Sequence, residues 1–173
     1  MTWRHDNILT YISQVVDKSK YEVFIDIPGH QTAGSGTIPA EAGVVTADRP
    51  DVVILDRKEK QLHFWELTMS FETNFDFAHT HKQNKYAYLL TDVTTFIPSV
   101  TAFEIGARGY ISKQNSERLK LLHKFCKPGL KLKEFVDNIS AISVNSSYFM
   151  FINRKEGNWC APPPLRAPFT TQH

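Results

Sequence analysis

The sequence predicts an α/β domain in which a central mixed sheet is flanked by helices. Residues 52–55 are four consecutive aliphatic side chains between Pro50-Asp51 and a charged turn, a pattern typical of a strand buried on both faces. Residues 61–70 form a second apolar run with the composition of a central strand. Helical periodicity precedes these runs and follows them, so helices and strands alternate along the chain.

Length and composition fit one domain. The chain has 173 residues, of which 42% are hydrophobic, enough for a single core. No apolar stretch approaches ~20 residues and the N-terminus lacks the layout of a secretion signal, so we expect a soluble, nuclear or otherwise intracellular protein with no membrane partner. Two cysteines, Cys126 and Cys160, are too few for a disulfide framework or a zinc knuckle. Residues 1–152 are assigned to the domain, and the proline-rich residues 153–173 to an extended tail.

The first helix is predicted from about Asp6 to Lys18, where apolar residues recur at helical spacing. A basic-His-Asp triplet, Arg4-His5-Asp6, stands at its beginning. Asp6 either caps the helix by accepting hydrogen bonds from free backbone N–H groups or belongs with its two neighbours to a functional site.

A first strand and a long loop follow. The strand is predicted from Tyr21 to Ile27, because apolar residues alternate there and Pro28-Gly29 ends the run. Its acids Glu22 and Asp26 are assigned to solvent, with extra metal carboxylates as the alternative. Residues 30–48 are unusually long for a loop, and their Gly-Ser-Gly segment lacks the Gly-Lys-Thr ending of a phosphate loop. We expect either a flap or a short strand at 42–46.

Two acids stand out against the apolar runs. Asp51 is at the start of the first run and Glu66 lies within the second. A charge inside an apolar strand is unfavourable unless a cation meets it. Antiparallel pairing through the turn at 56–60 brings Asp51 towards Glu66, so the two carboxylates converge on one divalent metal. Oxygen ligands suit Mg²⁺ or Mn²⁺.

The following helix, predicted for residues 75–90, supplies cations. Lys82 and Lys85 fall on one side of it, and Tyr86 lies one turn beyond Lys82. A lysine held near a metal and a phosphate positions or deprotonates water and stabilises negative charge. Two acids, a lysine and a metal suffice for phosphodiester hydrolysis.

Later segments complete the sheet and its helices. A strand is predicted in residues 101–112, with glycines at 106 and 109 that permit close approach of neighbours. Two helices broken at Pro128-Gly129 follow, and residues 132–151 form a last helix or a helix and a strand. His79 and His81 point about 200 degrees apart on their helix, so they are assigned to solvent. Residues 118–133 hold no acid and six basic side chains: Arg118, Lys120, Lys124, Lys127, Lys131 and Lys133.

These motifs together resemble the PD-(D/E)xK pattern of restriction-endonuclease-like nucleases. That pattern has a lysine two residues after the second acid, where this chain has Thr68, and the chain is similar to variants whose lysine lies on the next helix. The chain most resembles the restriction-like endonuclease domain of non-LTR retrotransposons. The resemblance covers residues 3–112 and rests on four motifs in order: Arg4-His5-Asp6, Arg49-Pro50-Asp51, an acid-x-Thr strand (Glu66-Leu67-Thr68) with the K-x-x-K-Y helix from Lys82 to Tyr86, and the Gly-x-x-Gly turn from Gly106 to Gly109.

The resemblance implies an αβββαβ core and a metal-dependent DNA endonuclease that leaves a 3′-hydroxyl. Asp51, Glu66 and the backbone carbonyl of Leu67 would hold one or two Mg²⁺ ions. Lys82 would act on the attacking water, with Lys85 as second choice and Tyr86 packing behind them. The long loop would be a flap over DNA.

It also implies partners. The residues assigned to DNA are Arg4, His5, Asp6, Arg49, Arg118, Lys120, Lys124 and Lys127. On composition alone the basic helices are solvated faces, but beside a nuclease core they favour contact with the DNA backbone. In the family, nicking of a chromosomal target primes reverse transcription. Since the chain has no polymerase motifs, it would be either a domain of a larger polyprotein with a reverse transcriptase or a free-standing relative. The alternatives are a catalytically inactive DNA-binding module and a branched-DNA resolvase, the latter as a homodimer.

Overall fold

The structure is a computed structural model that describes residues 2–27, 37–70 and 75–155. In chain order the elements are helix α1 (Thr2–Val15), strand β1 (Glu22–Ile25), a short 3-10 helix (Ala40–Ala42), strands β2 (Val52–Asp56) and β3 (Gln61–Ser70), helices α2 (Phe75–Tyr86) and α3 (Leu89–Asp92), strand β4 (Ile97–Gly106), and helices α4 (Lys113–His123) and α5 (Leu132–Ile152). The order is the one that the sequence predicts: a helix, three strands, a helical segment, a fourth strand and two final helices.

The four strands form one mixed sheet in the order β1-β2-β3-β4. Strand β2 is antiparallel to both β1 and β3, whereas β4 runs parallel to β3 along its whole length. A parallel pairing needs a crossover, and α2 and α3 supply it between β3 and β4. The predicted central mixed sheet flanked by helices is therefore confirmed.

Helices cover both faces of the sheet, which explains the unbroken aliphatic run in β2. Val52 and Ile54 belong to a core that includes side chains of α1, α4 and α5. Val53 and Leu55 belong to a second core with side chains of α2, α3 and the 3-10 helix. All four side chains are completely buried, so the predicted strand with two buried faces is confirmed.

The observed elements differ from the prediction at five places. Helix α1 begins four residues earlier than predicted because Trp3 adds a buried side chain to its first turn. Asp6 therefore lies inside the helix, and its interpretation as the N-terminal cap is wrong. Strand β1 is shorter than predicted. Strand β4 begins at Ile97 and includes Pro98, which is tolerated because β4 is an edge strand.

The other two differences lie between strands. The helix predicted for residues 75–90 is divided, with α2 ending at Tyr86 and α3 following after two residues. The strand considered for residues 42–46 is wrong, because Ala40–Ala42 form a 3-10 helix that ends at Gly43 in the left-handed conformation. The last helix α5 is continuous over 21 residues and contains no strand.

The turn after β4 brings helix α5 close to the backbone at Gly109. Gly109 has φ 79°, and a Cβ there would lie 2.6 Å from Val144 Cγ2 and 2.7 Å from Ser140 Oγ. The Ser140 hydroxyl donates a hydrogen bond to the Gly109 carbonyl at 2.7 Å. Only glycine fits this turn without strain.

Some predictions concern residues outside the described ranges. The Gly-Ser-Gly segment and most of the proline-rich tail, residues 156–173, lie there. The boundary between a domain at 1–152 and its tail therefore stays a prediction. None of the helices in the described ranges is both long and apolar enough to span a bilayer.

Candidate active site

The start of β2 and the middle of β3 bring Asp51 and Glu66 together. Val52 pairs with Trp65, so Asp51 stands directly beside Glu66 at the next position of the antiparallel ladder. The backbone N–H of Asp51 donates to Glu66 Oε1 at 3.1 Å, and the backbone N–H of Leu67 donates to Asp51 Oδ2 at 2.7 Å. Each carboxylate is thus held by the other strand. The predicted antiparallel approach of the two acids is confirmed.

Lys82 reaches the same place from helix α2. Its ammonium group donates to Glu66 Oε2 at 2.7 Å. The Glu66 side chain is 1% exposed and that of Lys82 is 27% exposed, so the amine is reached from solvent while the carboxylate is not. Two acids from adjacent strands and one lysine from the neighbouring helix form the centre of the candidate site.

The two acids differ in their protonation behaviour. Burial raises the pKa of Glu66, and the nearby charge of Asp51 raises it further, so that it reaches about 7 despite the hydrogen bond from Lys82. Burial also disfavours the charged form of Asp51, but His5 and Lys82 outweigh it and lower the pKa of Asp51. Two neighbouring carboxyl groups with pKa values pushed apart are a common feature of functional sites.

Lys82 stays charged beside them. Burial lowers the pKa of Lys82, but the hydrogen bond and charge of Glu66 and the charge of Asp51 together raise it above its ordinary value. The lysine is therefore a counter-ion of the acid pair.

His5, on helix α1, contacts one member of the acid pair, Asp51. Its Nε2 lies 3.2 Å from Asp51 Oδ2, and its Nδ1 lies 3.3 Å from Asp6 Oδ1. Burial opposes the imidazolium form, but the two carboxylates raise the pKa of His5 to about 9. The triplet is divided, because Arg4 points away and donates to Ser147 Oγ on α5 at 3.0 Å.

Lys85 and Tyr86 hold the segment that precedes Asp51. The Lys85 amine lies 3.2 Å from Asp48 Oδ1 and donates to the Tyr86 hydroxyl at 3.0 Å. The Tyr86 hydroxyl donates to the backbone carbonyl of Arg49 at 3.3 Å. Burial raises the pKa of Tyr86, and the charge of Glu66 raises it further. Lys85 thus pairs with the loop, whereas Lys82 pairs with Glu66.

The remaining acids considered for the metal are paired elsewhere. Arg49 forms an ion pair with Asp26, and the backbone N–H of Asp26 donates to the Asp51 carbonyl at 3.0 Å. Glu22 forms an ion pair with Arg57. These contacts support Asp26 as a neighbour of the site and place Glu22 among exposed surface charges.

The predicted DNA-binding residues of α4 are not gathered at the acid pair. Arg118 donates to Glu104 Oε2 on β4 at 2.9 Å and is largely buried, while Lys120 lies 3.7 Å from Glu117. Lys124 and Lys127 lie beyond the end of α4, where the Lys127 N–H donates to the carbonyl of Val15. Val15 is ten residues from His5 along α1, roughly 15 Å at 1.5 Å per residue.

A second buried acid, missed by sequence reasoning, lies on the same face of the sheet. Glu104 pairs with Thr68 in the parallel register and is 1% exposed. His79 Nδ1 lies 3.0 Å from Glu104 Oε1, so the assignment of His79 to solvent is wrong. A glutamate inside an apolar strand was the available signal, the same one that identifies Glu66.

The oxygen atoms at the acid pair fit a hard divalent cation. No group of three or more His, Cys, Asp or Glu side chains that could hold a metal is present in residues 2–27, 37–70 and 75–155. The two carboxylates remain, and Mg²⁺ commonly binds one or two carboxylates while keeping several waters. The fit is therefore to an ion that completes its shell with water and substrate.

Comparisons with known proteins provide no family assignment. No family model matches the chain, and no curated protein shows significant similarity to it.

Proposed function

We propose that this chain is a metal-dependent DNA endonuclease of the PD-(D/E)xK type with a restriction-endonuclease-like αβββαβ core. The observation that carries the proposal is the meeting of Asp51, Glu66 and Lys82, from two adjacent strands and the next helix, within hydrogen-bond contact of one another's groups. A fully buried glutamate beside a second acid is unfavourable for folding alone, so a chemical role explains its presence.

Asp51, Glu66 and the carbonyl of Leu67 would hold Mg²⁺ or Mn²⁺. The metal would supply a water of lowered pKa and stabilise negative charge on the phosphate. Asp51 is oriented for this role by the Leu67 N–H and by His5, and Glu66 by the Asp51 N–H. These fixed hydrogen bonds hold the oxygens before any ligand arrives, which favours a preorganised site.

Lys82 is the residue proposed to position the attacking water and to stabilise negative charge, because its raised pKa keeps the amine charged. It is partly exposed and in contact with Glu66, so it reaches the solvent side of the acid pair. Thr68 occupies the place where the PD-(D/E)xK pattern has its lysine, and the amine of Lys82 comes instead from α2. The engagement of Lys85 with Asp48 favours a supporting role for Lys85 and Tyr86.

The proposal includes DNA as substrate and a nick with a 3′-hydroxyl end. Its retroelement context, in which the nick primes reverse transcription, rests on the motif order alone.

Lys120, Lys124 and Lys127 would contact the DNA backbone away from the acid pair. Each contact between a lysine and a phosphate releases counterions, so binding should weaken as the salt concentration rises. Replacing the three by alanine should reduce the slope of binding against salt concentration, measured by fluorescence anisotropy. Lys58→Ala on the β2–β3 turn is the control, and an unchanged slope assigns these three lysines to solvent.

Plasmid nicking tests the activity. Supercoiled DNA is incubated with the protein and Mg²⁺ or Mn²⁺, and conversion to open circles is followed on gels. Asp51→Ala and Glu66→Ala should abolish nicking while circular dichroism shows a retained fold. Lys58→Ala should nick like the unchanged protein. Nicking that survives both acid substitutions would contradict the proposal.

A second candidate is a DNA-binding module without catalysis. It is favoured by the two cations, His5 and Lys82, that already neutralise the acid pair, and by Thr68 in the lysine position. DNA binding without nicking under either metal would support this module. The two candidates thus differ in the outcome of the same assay.

A further inference from the structure

The second half of helix α2, from His79 to Tyr86, contacts its neighbours through several polar side chains. Among its side chains from His79 to Tyr86, only that of Tyr86 is classed as buried, and the others are partly or fully exposed. Since few apolar side chains are buried in this half of the helix, its position there depends on specific polar contacts. The contacts of α2 therefore decide where Lys82 lies.

One of these contacts is the network of His79, Glu104, Arg118 and Asn115. Glu104 Oε1 lies 3.0 Å from His79 Nδ1, and its Oε2 accepts from Arg118 at 2.9 Å. Arg118 also lies 3.1 Å from His79 Nε2 and donates to Asn115 Oδ1 at 2.9 Å. The Asn115 oxygen accepts the backbone N–H of Glu104 at 3.1 Å. The network joins α2, β4 and α4.

The donors in this network are determined by its chemistry. A guanidinium group only donates, so Nε2 of His79 accepts from Arg118. The proton of a neutral His79 is then on Nδ1, which donates to the Glu104 carboxylate. Both ring nitrogens are used, and this fixes the orientation of the ring and of the helix turn that carries it.

We propose that His79, Glu104 and Arg118 form a clamp that positions Lys82, with His79 as the positioning residue on α2. His79 precedes Lys82 by three residues and so lies on the same side of the helix. Lys82 itself is attached through Glu66, the residue proposed to bind the metal. When Glu66 exchanges that partner, the clamp still attaches this part of α2 to the sheet. The catalytic consequence rests on the proposed function, whereas the position of the lysine does not.

Chemical labelling of Lys82 tests the clamp without any nuclease assay. The acetylation rate of Lys82 is measured by mass spectrometry against that of exposed Lys58 in the same sample. His79→Ala should raise the relative rate about tenfold, the effect of losing hydrogen bonds worth roughly 1.4 kcal/mol. His79→Asn, whose amide donates from nearly the place of Nδ1, should restore much of the protection. Asn84→Ala, at an exposed position of the same helix, is the control.

A second background sharpens the comparison. In Glu66→Gln the lysine has a weaker attachment of its own, so His79→Ala should raise the labelling of Lys82 more in that background than in the unchanged protein. Equal labelling in His79→Ala and Asn84→Ala, in both backgrounds, would overturn the clamp. Thermal unfolding of each variant shows whether labelling arises from global unfolding. If His79→Ala is unfolded, the labelling of Lys82 in His79→Asn decides the test.

Kinetics separate the clamp from the proposed function. If the chain nicks DNA, His79→Ala should lower kcat with little change in KM, because the substitution misplaces the lysine without removing a DNA contact. Protected Lys82 that becomes reactive in His79→Ala, in a protein that never nicks DNA, refutes the nuclease and supports the clamp. If His79→Ala nicks DNA normally and the labelling of Lys82 is unchanged, the result supports the nuclease and refutes the clamp.

Discussion

Glu66→Gln should make the protein more stable at neutral and alkaline pH while abolishing nicking. The pKa of Glu66 rises from 4.5 in a free glutamate to about 7, because the side chain is buried and Asp51 is adjacent. A raised pKa means that the folded state holds the proton more tightly than the unfolded chain. The stabilisation is fully present below pH 4.5 and is lost as the pH rises through about 7.

The size of the effect follows from this shift. A difference of one unit between the folded and unfolded pKa corresponds to about 1.4 kcal/mol. Ionised Glu66 therefore lowers the free energy of unfolding by about 3 kcal/mol above pH 7. Glutamine removes the charge and keeps an oxygen for the Asp51 N–H. It weakens the hydrogen bond from Lys82, which costs about 1 kcal/mol. The net gain is about 2 kcal/mol at pH 8.

Urea unfolding at several pH values between 4.5 and 9 measures this gain. The advantage of the Gln variant should grow between pH 5 and pH 7 and then level off, and it should be absent or reversed at pH 4.5. Glu59→Gln on the exposed β2–β3 turn is the control and should shift the free energy of unfolding by less than about 0.5 kcal/mol. A Glu66→Gln protein that is less stable than the parent at pH 8 would refute the reasoning.

Three further predictions concern the helix lysines, His5 and a turn. Lys82→Ala should lower the single-turnover nicking rate about 100-fold, the size expected for the loss of one preorganised charged donor, while Lys85→Ala should lower it much less; the reverse order would exchange their roles. His5 has a pKa raised from 6.5 to about 9, so its stabilisation is complete below pH 6.5 and disappears as the pH rises through 9. His5→Gln should flatten the pH dependence of urea unfolding in that window, and a His5 resonance titrating near 6.5 by NMR would contradict this. Gly109→Ala should lower the free energy of unfolding by about 2 kcal/mol or more, since strain at positive φ adds to the clash with α5. The control Gly129→Ala has φ 97° but open space, and an equal loss in both variants would refute the clash.

The two central strands were predictable because local and global signals agree there. The run at 52–55 has no polar position, so it fits only a strand buried on both faces, and the charged turn at 56–60 separates it from the next run. With that turn given, antiparallel pairing places Asp51 beside Glu66. The acid pair therefore follows from a short-range pattern that tertiary contacts do not override.

Features that depend on distant partners were not predictable in the same way. Helix α1 starts early because Trp3 packs on Phe149 of α5, with ring centroids 5.1 Å apart. This contact joins residues far apart in the sequence, so the local pattern does not predict it. The extension of β4 back to Ile97 follows from its pairing with the full length of β3. Arg118 belongs to a basic segment of the sequence, yet it forms an ion pair with the buried Glu104 and is only partly exposed.

Glu104→Gln provides a contrast that tests this view of buried acids. Glu66 and Glu104 lie on neighbouring strands and face the same side of the sheet, and both are buried. Glu66 has a second acid, Asp51, beside it as well as the cation Lys82, whereas Glu104 has Arg118 and His79 and no acid among these contacts. Loss of the Glu104 charge would leave Arg118 largely buried without its anion, at a cost of about 2 kcal/mol.

We therefore expect opposite signs at pH 8: Glu66→Gln stabilises and Glu104→Gln destabilises, both measured by urea unfolding. The sign is decided by the partner of each carboxylate, because burial is nearly the same for the two. A destabilisation of similar size in both variants would mean that Glu66 is also a structural ion pair with Lys82. Ionised Glu66 would then not lower the free energy of unfolding, and this unfavourable effect is what distinguishes a functional acid pair from a structural ion pair.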